Sequence, residues 1–321
     1  MPDGDKSVDC IYLAACARDA RLTRICIASI RYFYPDIPIK LLAGGIIQSG
    51  LAAEIKKYWN VDLVDLPVGD YGSGFVKLEP LFGPAGHRFM VLDSDTVFVG
   101  KVLEHRAQCD ALFIVDEEEL SDADSKRLYF DWDKVREMDP YVQPARRAFN
   151  TGQWFGVAGI ITREDFDPWV EWTLPRRLKY PDWFMIGDQG VQNYVMLQKE
   201  AREGLRLERR SIMRWPGHSM EGINKASVVN GIAPPVVVHW AGMKAIFLRN
   251  MAGSDLLELF ETFYYTKLPA GWLRRLFVQA RHVWLNVSFE ISRRVILRWQ
   301  IWFGRRKSKS PPILVKQAIG S

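Results

Sequence analysis

The sequence has few cysteines and no long uncharged apolar run. Its four cysteines among 321 residues are too irregularly spaced for a zinc motif or a CxxC redox pair, so we expect reduced structural thiols. No run of about 18 uncharged apolar residues occurs, so no spanning helix is predicted. The N-terminus, MPDGDKSVDC, is acidic and polar, unlike a signal peptide. These absences predict a cytoplasmic protein.

Charge is distributed unevenly along the chain. The net charge is +5, but the residues from Thr262 onward contain twelve Lys and Arg and a single acid, Glu290. That region therefore carries +11, and the preceding residues carry −6. We interpret the chain as an acidic body with a basic tail, since charge asymmetry of this kind marks an interaction segment.

The first hundred residues alternate short apolar runs with amphipathic segments, a pattern that indicates an α/β fold with a mixed, mainly parallel sheet. Strands are predicted at 8–15, 37–45, 61–66 and 88–92, and helices at 21–33, 51–58 and 72–82. Further strands are predicted at 111–115, within 149–165 and at 234–244, and helices at 165–178 and 187–200. A polar insertion at 116–148 is predicted to be irregular, and by elimination we expect it and the Trp-rich span 169–184 to shape an acceptor site.

Two carboxylates follow the apolar run in RFMVLDSDTVFVG, residues 88–100. Asp93 and Asp95 lie at the exit of a predicted strand, where ligands collect in parallel sheets. His239 closes a later predicted strand in the same way. Two carboxylates and an imidazole suit Mn²⁺ or Mg²⁺, which commonly bridges two phosphates. The alternative for the acidic pair is a solvated loop.

Four segments in order resemble one enzyme family. They are FVKLEPLFGPAGHRFMVLDSDT (75–96), FNTG (149–152), GDQG (187–190) and HWAGMK (239–244). Together they resemble the retaining nucleotide-sugar glycosyltransferases of family 8, which include glycogenin and bacterial lipopolysaccharide glycosyltransferases. The resemblance covers roughly residues 8–245. It implies a Rossmann-like GT-A domain, which we place at 1–255, ahead of a basic aromatic helical tail at 256–309 and a flexible C-terminus at 310–321.

The resemblance also implies roles for individual residues. The implied metal ligands are Asp93, Asp95 and His239. The implied donor-binding residues are Lys77, Asp93, Asn150, Gly152, Gly242 and Lys244, with Ala14, Ala15 and Asp19 near the base. The implied catalytic residues, close to the anomeric carbon, are Asp188 and Gln189.

Several of these residues also have an ordinary structural explanation. Asp188 suits a helix N-cap, and Asn150 suits a turn. His239 is compatible with a satisfied core histidine, and Lys77 with a solvated helix lysine. Lys244 stands two residues after Gly242, whereas the family places the lysine three residues after its glycine.

The resemblance implies a metal-dependent hexose transfer from a nucleoside-diphosphate sugar, chiefly a UDP-sugar, to a glycan or glycolipid acceptor, with retention, as in lipopolysaccharide biosynthesis. A covalent intermediate on Asp188 and same-face attack both remain open at this point. Two other functions also remain. DSDTV matches the first motif of haloacid-dehalogenase-type phosphatases, in which Asp93 is the nucleophile and Asp95 the general acid. The other alternative is a non-catalytic membrane-associated adaptor that retains a donor-like fold.

The tail has the composition of a helix that lies in a membrane surface. Apolar residues recur at 276, 280, 283, 284, 287, 291 and 295, interleaved with arginines and tryptophans. This pattern predicts attachment to anionic lipid on the inner face of the plasma membrane. The alternatives are a helix that covers the domain and one that pairs with another subunit. No nucleic-acid motif accompanies the charge, so no nucleic-acid partner is expected.

Overall fold

The computed structural model describes residues 7–16, 19–44, 49–67, 69, 71–72, 74–185, 187–242, 247–281, 283–284 and 287. Contacts divide the chain into two compact units, Met1–Gly271 and Trp272–Ser321.

The first unit alternates strands and helices over its N-terminal half. The strands are β1 (Cys10–Ala15), β2 (Ile39–Ala43), β3 (Val61–Leu63), β4 (Arg88–Asp93), β5 (Thr96–Phe98), β6 (Phe113–Asp116), β7 (Gln153–Val157), β8 (Val170–Glu171), β9 (Arg177–Leu178), β10 (Leu207–Arg210), β11 (Met213–Arg214) and β12 (Val237–His239). The α-helices are α1 (Ala20–Phe33), α2 (Ser49–Trp59), α3 (Glu104–Ala107), α4 (Asp122–Leu128), α5 (Trp132–Val135), α6 (Asp188–Glu203), α7 (Lys225–Val229) and α8 (Ser254–Thr266). Two 3₁₀ helices are Phe75–Phe82 and Leu248–Asn250.

A seven-stranded sheet in the order β10-β6-β7-β4-β1-β2-β3 forms the centre of this unit. The pairs β1·β2, β1·β4, β2·β3 and β6·β10 are parallel, and β7 runs antiparallel to both of its neighbours, β4 and β6. The predicted mixed, mainly parallel sheet is therefore confirmed. Because β1, β4 and β6 share a direction, their carboxyl ends meet at one edge of the sheet.

A second, three-stranded sheet in the order β11-β12-β5 completes that edge. β12 pairs antiparallel with β5 and sets His239 opposite Thr96. β5 begins at Thr96, just after the turn that follows β4, so the last residue of β12 is brought beside the acidic turn.

Helix α8 packs against α1 within the first unit. Its buried face includes Leu256, Leu257 and Phe260, and contacts with α1 include an ion pair of 2.6 Å between Arg21 Nε and Glu261 Oε1. Residues 256–271, which we expected to lie in the tail, thus lie in the first unit.

Three local predictions differ from the structure. The helix predicted over 165–178 is wrong. That segment forms turns and the short hairpin β8–β9, because Pro168 and Pro175 lack the backbone N–H that a helix interior requires. The helix predicted over 72–82 is the 3₁₀ helix Phe75–Phe82, which contains Pro80. The insertion at 116–148 is not irregular throughout, since it contains α4 and α5.

In the second unit, residues 272–281 are helical. Several of its apolar side chains are exposed, among them Trp272 (71%), Phe277 (67%) and Trp284 (67%). Much of the predicted tail, including residues 288–321, lies outside the described residues. Within the described part of the chain, we find no helix with the length and apolarity needed to span a bilayer.

Candidate functional site

Two carboxylates and one imidazole converge where β4 and β12 end. His239 Nε2 lies 3.2 Å from Asp95 Oδ1 and 3.9 Å from Asp93 Oδ2. One ligand atom from each of the three residues lies within 4.8 Å of the others. Two hard oxygens and one neutral nitrogen are donors that Mn²⁺ or Mg²⁺ accepts, and three protein ligands leave coordination positions for other oxygens. This donor set fits a divalent cation.

Backbone hydrogen bonds from both sheets hold the acidic turn. Ser94 N donates to Ala14 O at 3.0 Å, and Trp240 N donates to Asp95 O at 2.9 Å. Ala14 is also the register partner of Asp93 in the β1·β4 pair. Ala14 therefore contributes to the site through its backbone carbonyl, which positions the turn.

Gly152 lies directly against His239. A Cβ on Gly152 would stand 2.3 Å from His239 Cε1 and 2.8 Å from Asn150 Oδ1, so no larger residue fits without displacing the imidazole. The carbonyl of Gly152 accepts a hydrogen bond of 2.7 Å from Asp93 N. Asn150 Oδ1 accepts a hydrogen bond of 2.7 Å from Gly152 N. This contact between residues i and i+2 is typical of a turn asparagine, which was the structural alternative for Asn150.

A buried lysine lies on the other side of Asp93. Lys77 Nζ is 3.3 Å from Asp93 Oδ1 and 3.0 Å from Asp188 Oδ2, and Thr151 Oγ1 donates to the same Asp188 oxygen at 3.2 Å. Lys77 is 6% exposed and Asp188 is 3% exposed. The interpretation of Lys77 as a solvated helix lysine is therefore wrong.

Charge and burial oppose each other in this cluster. Burial disfavours the ammonium of Lys77, but the nearby carboxylates of Asp188 and Asp93 outweigh it and raise the pKa of Lys77. Burial also raises the pKa of Asp188, against the opposing effect of the Lys77 ammonium. Lys77 consequently carries its charge at neutral pH.

Asp188 is the first residue of α6, and it does not cap the helix. The N-cap position belongs to Gly187, and the Asp188 carboxylate contacts Lys77 and Thr151 instead. The N-cap interpretation of Asp188 is thus wrong. Gln189, the next residue, donates from Nε2 to Leu128 O at 3.4 Å.

The 3₁₀ helix that carries Lys77 is held by the β8–β9 hairpin. Arg176 is buried between these elements, with its NH1 2.5 Å from Glu79 Oε1. Its guanidinium lies 4.4 Å from the ring centroid of Tyr71 and 5.1 Å from that of Trp172. This Arg fixes the helix because an ion pair and two cation–π contacts act on it together.

Two predicted donor residues are not placed in this cluster. Gly242 is exposed with φ +70°, and no described atom lies within 4 Å of a Cβ built on it. Lys244 lies outside the described residues. Asp19, near the predicted base site, accepts a hydrogen bond of 3.1 Å from Cys16 Sγ.

Four residues at or near the site were not predicted. Gly74 has φ +85°, and a Cβ on it would stand 2.1 Å from Asp188 Oδ1. Thr151 holds Asp188, and its place inside FNTG was the available signal. Trp215 stacks on His239, with centroids 5.5 Å apart and planes 14° apart. No sequence pattern marks Trp215.

Glu118 is the fourth of these residues. It follows β6, whose carboxyl end lies at the same edge of the sheet as that of β4. This position after a strand was the only sequence feature that could have indicated Glu118. Burial raises the pKa of the half-buried Glu118 carboxyl to about 6, opposed by its hydrogen bond from Tyr129. Glu118 is thus an acidic group that follows a strand ending at the same edge of the sheet as β4.

No protein-family model and no curated protein matches the sequence. Solved structures do resemble it. The galactosyltransferase LgtC, in complex with donor and acceptor sugar analogues, has a TM-score of 0.54 at 14% identity, over 83% of this chain and 99% of LgtC. An active-site mutant of LgtC has a TM-score of 0.52 at 12% identity, over 83% and 99% of the two chains.

The bifunctional glycosyltransferase WbbM, in its apo form, has a TM-score of 0.51 at 13% identity. The match covers 82% of this chain and 50% of WbbM, so the chain spans about half the length of that protein. At these identities the likeness shows the fold, which is the GT-A fold of glycosyltransferases and agrees with the fold predicted from the sequence motifs.

Proposed function

We propose that this protein is a metal-dependent glycosyltransferase that moves a hexose from a UDP-sugar to a glycan or lipid-linked acceptor, with retention of configuration. The observation that carries the proposal is the convergence of Asp93, Asp95 and His239 next to the buried Lys77–Asp188 pair at the carboxyl edge of a GT-A sheet. Ligands of α/β sheets bind at this edge.

The three ligands supply a place for Mn²⁺ or Mg²⁺. A divalent cation held there provides Lewis-acid stabilisation of the charge that develops on a leaving nucleoside diphosphate. Lys77 keeps its proton and holds the carboxylate of Asp93 in place through contacts with both of its oxygens. The Gly152 backbone and Asn150 lie next to His239, where we place the transferred sugar.

The surroundings of Asp188 favour same-face attack over a covalent intermediate. Its Oδ2 contacts Lys77 and Thr151, and its Oδ1 lies against the backbone of Gly74. One oxygen is thus ion-paired and the other is closely packed, and an ion-paired carboxylate is a weak nucleophile. We assign Asp188 and Gln189 to orienting the sugar, with the acceptor approaching on the face that the diphosphate leaves.

A panel of nucleotide sugars tests the proposal. Release of nucleoside diphosphate is measured with Mn²⁺ and with a chelator, for the unmodified chain and for Asp133→Ala, an exposed control far from the ligand cluster in sequence. We expect one donor to turn over with Mn²⁺ in both proteins and none with the chelator. Release of nucleoside diphosphate at the same rate with the chelator as with Mn²⁺ would contradict the proposal. Phosphate release from phosphomonoesters supports the phosphatase, and binding without turnover supports the adaptor.

We further propose that the tail attaches the protein to an anionic membrane surface at the inner face of the plasma membrane. Exposed Trp272, Phe277 and Trp284 accompany Arg274, Arg275 and Arg281 on helical residues, and each cation near such a surface contributes about 1 kcal/mol. Flotation with anionic vesicles at low salt should recover the protein, and neutral vesicles should not. Equal recovery with both, or dimerisation without binding, would exclude this role.

A further inference from the structure

The orientation of His239 lacks the support that metal-bound histidines usually have. Such a histidine normally donates its second ring N–H to a carboxylate or a carbonyl, which fixes the tautomer and the ring. In His239, Nε2 faces Asp93 and Asp95, while Nδ1 is buried and has no hydrogen-bond partner among the described residues. The ring is 3% exposed, so solvent does not orient it either. Packing must hold this imidazole.

Trp215 supplies that packing. It follows β11, which runs parallel to β12 with Arg214 level with Val238, so the next residue along each strand brings Trp215 beside His239. The two rings stack with centroids 5.5 Å apart and an interplanar angle of 14°. Gly152 lies against Cε1 and Nδ1 of the same imidazole.

We propose that Trp215 is a positioning residue for the cation ligand His239, and that its stacked indole replaces the missing hydrogen bond at Nδ1. The inference rests on the proposed divalent-cation site. Rotation of the imidazole about its Cβ–Cγ bond would carry Nε2 away from Asp95, and the flat contact with the indole opposes that rotation. Trp215 therefore influences cation affinity through its contact with His239.

The stacking geometry makes specific variants informative. Trp215→Phe keeps a flat ring against His239, whereas Trp215→Leu keeps apolar volume but loses the stack. Trp183 offers a matched control, because it is also a half-buried tryptophan and stacks on Tyr180 with centroids 4.3 Å apart. Trp183→Leu removes a comparable stack outside the ligand cluster.

Mn²⁺ affinity is measured by the electron paramagnetic resonance signal of the free ion, which is independent of enzymatic activity. Loss of outer partners of a metal ligand typically weakens binding about 10–100-fold. We expect Trp215→Leu to raise the Kd for Mn²⁺ at least about tenfold on that basis, and Trp215→Phe and Trp183→Leu to stay within about threefold. The thermal midpoint without metal, recorded for each variant, tests whether the fold is intact.

A second readout uses the unmodified sequence and so does not depend on a variant that folds well. In protein labelled with 5-fluorotryptophan, the fluorine resonance that is missing from Trp215→Phe should broaden first when substoichiometric Mn²⁺ is added. If Trp215→Leu binds Mn²⁺ as tightly as the unmodified chain, or that resonance does not broaden, the inference is wrong while the metal site stands. If the unmodified chain binds no Mn²⁺, both fail together.

Discussion

Asp93 lies between two cation positions that the protein fills in different ways. On one side both of its oxygens face Lys77 Nζ, Oδ1 at 3.3 Å and Oδ2 at 3.4 Å, and this ammonium is buried together with Asp188. On the other side its Oδ2 also lies 3.9 Å from His239 Nε2, in a cluster with Asp95 that fits a divalent ion from solution. The Lys77 cation is thus present whenever the chain is folded and contributes to stability, whereas the three-ligand cluster must bind an ion before it can contribute to activity. Stability and activity should therefore separate when the two sides are altered.

The largest effect is expected on the three-ligand side. Asp95→Asn keeps the shape of the side chain but removes an anionic ligand, so we expect turnover of the donor sugar to fall by about 10³-fold, the loss of a Lewis acid worth several kcal/mol. The free energy of unfolding without metal should change by less than about 1 kcal/mol, because Asp95 lies on a turn held by its backbone. Steady-state kinetics and urea unfolding check both values, and a large stability loss would contradict the separation.

The opposite result is expected on the Lys77 side. Lys77→Met leaves Asp188 buried without its cation, and removal of one partner of a buried pair costs about 3–5 kcal/mol. Lys77→Met combined with Asp188→Asn should regain part of that loss, since no buried charge is left unpaired. The control is Lys56→Met, whose ion pair of 3.3 Å with Asp62 is exposed and should contribute less than about 1 kcal/mol. Equal losses for Lys77→Met and Lys56→Met in urea unfolding would refute the buried-pair account.

Gly74 tests how tightly the Lys77 side is packed. Gly74 and Gly86 both have φ +85°, but a Cβ on Gly74 meets Asp188 Oδ1 at 2.1 Å, whereas a Cβ on Gly86 meets no described atom within 4 Å. Gly86→Ala should cost about 1 kcal/mol of backbone strain. Gly74→Ala should cost about 2 kcal/mol more in unfolding free energy, since displacing a packed polar group adds to that strain. Identical midpoints for the two variants would show that Asp188 is free to move.

The smallest effect concerns pH and Glu118, which borders the three-ligand side. Its pKa is raised to about 6 in the folded protein, so protonated Glu118 stabilises the fold at low pH, and this contribution is lost as the pH rises through 6. Glu118→Gln lacks the titration. Its unfolding free energy relative to the unmodified chain should rise by about 1 kcal/mol between pH 4 and 7, a value reduced for partial solvent screening. A difference that does not change with pH would contradict the assigned pKa.

Sequence patterns predicted every strand of the seven-stranded sheet except β10, because strand and helix periodicity is local. β1, α1, β2 and β4 follow apolar runs whose spacing alone identifies them. The hairpin β8–β9 was not predicted because its structure is not determined by local spacing. Trp169 and Trp172 fit helical spacing, and only the prolines and contacts with distant residues, such as Phe82 against Trp172, decide the outcome.

The residues of the site likewise fall into those that local sequence patterns predict and those that they do not. Asp93, Asp95 and His239 were nominated from strand exits and from motif order, and the structure brings them together. Gly74, Trp215 and the ion pair of Lys77 with Asp188 depend on partners far away in the sequence, so no local spacing reveals them. Local patterns indicate where a site lies, whereas the contacts that hold its residues appear only after the chain has folded.

The most direct test of the account is an anomalous diffraction measurement on crystals grown with Mn²⁺ and UDP. The account predicts one manganese peak within about 2.0–2.3 Å of a carboxylate oxygen of Asp93, of one from Asp95 and of His239 Nε2. Diphosphate oxygens should complete its coordination, and Lys77 should keep its contacts with Asp93 and Asp188. A bound nucleotide with no manganese at these three residues would contradict the central claim.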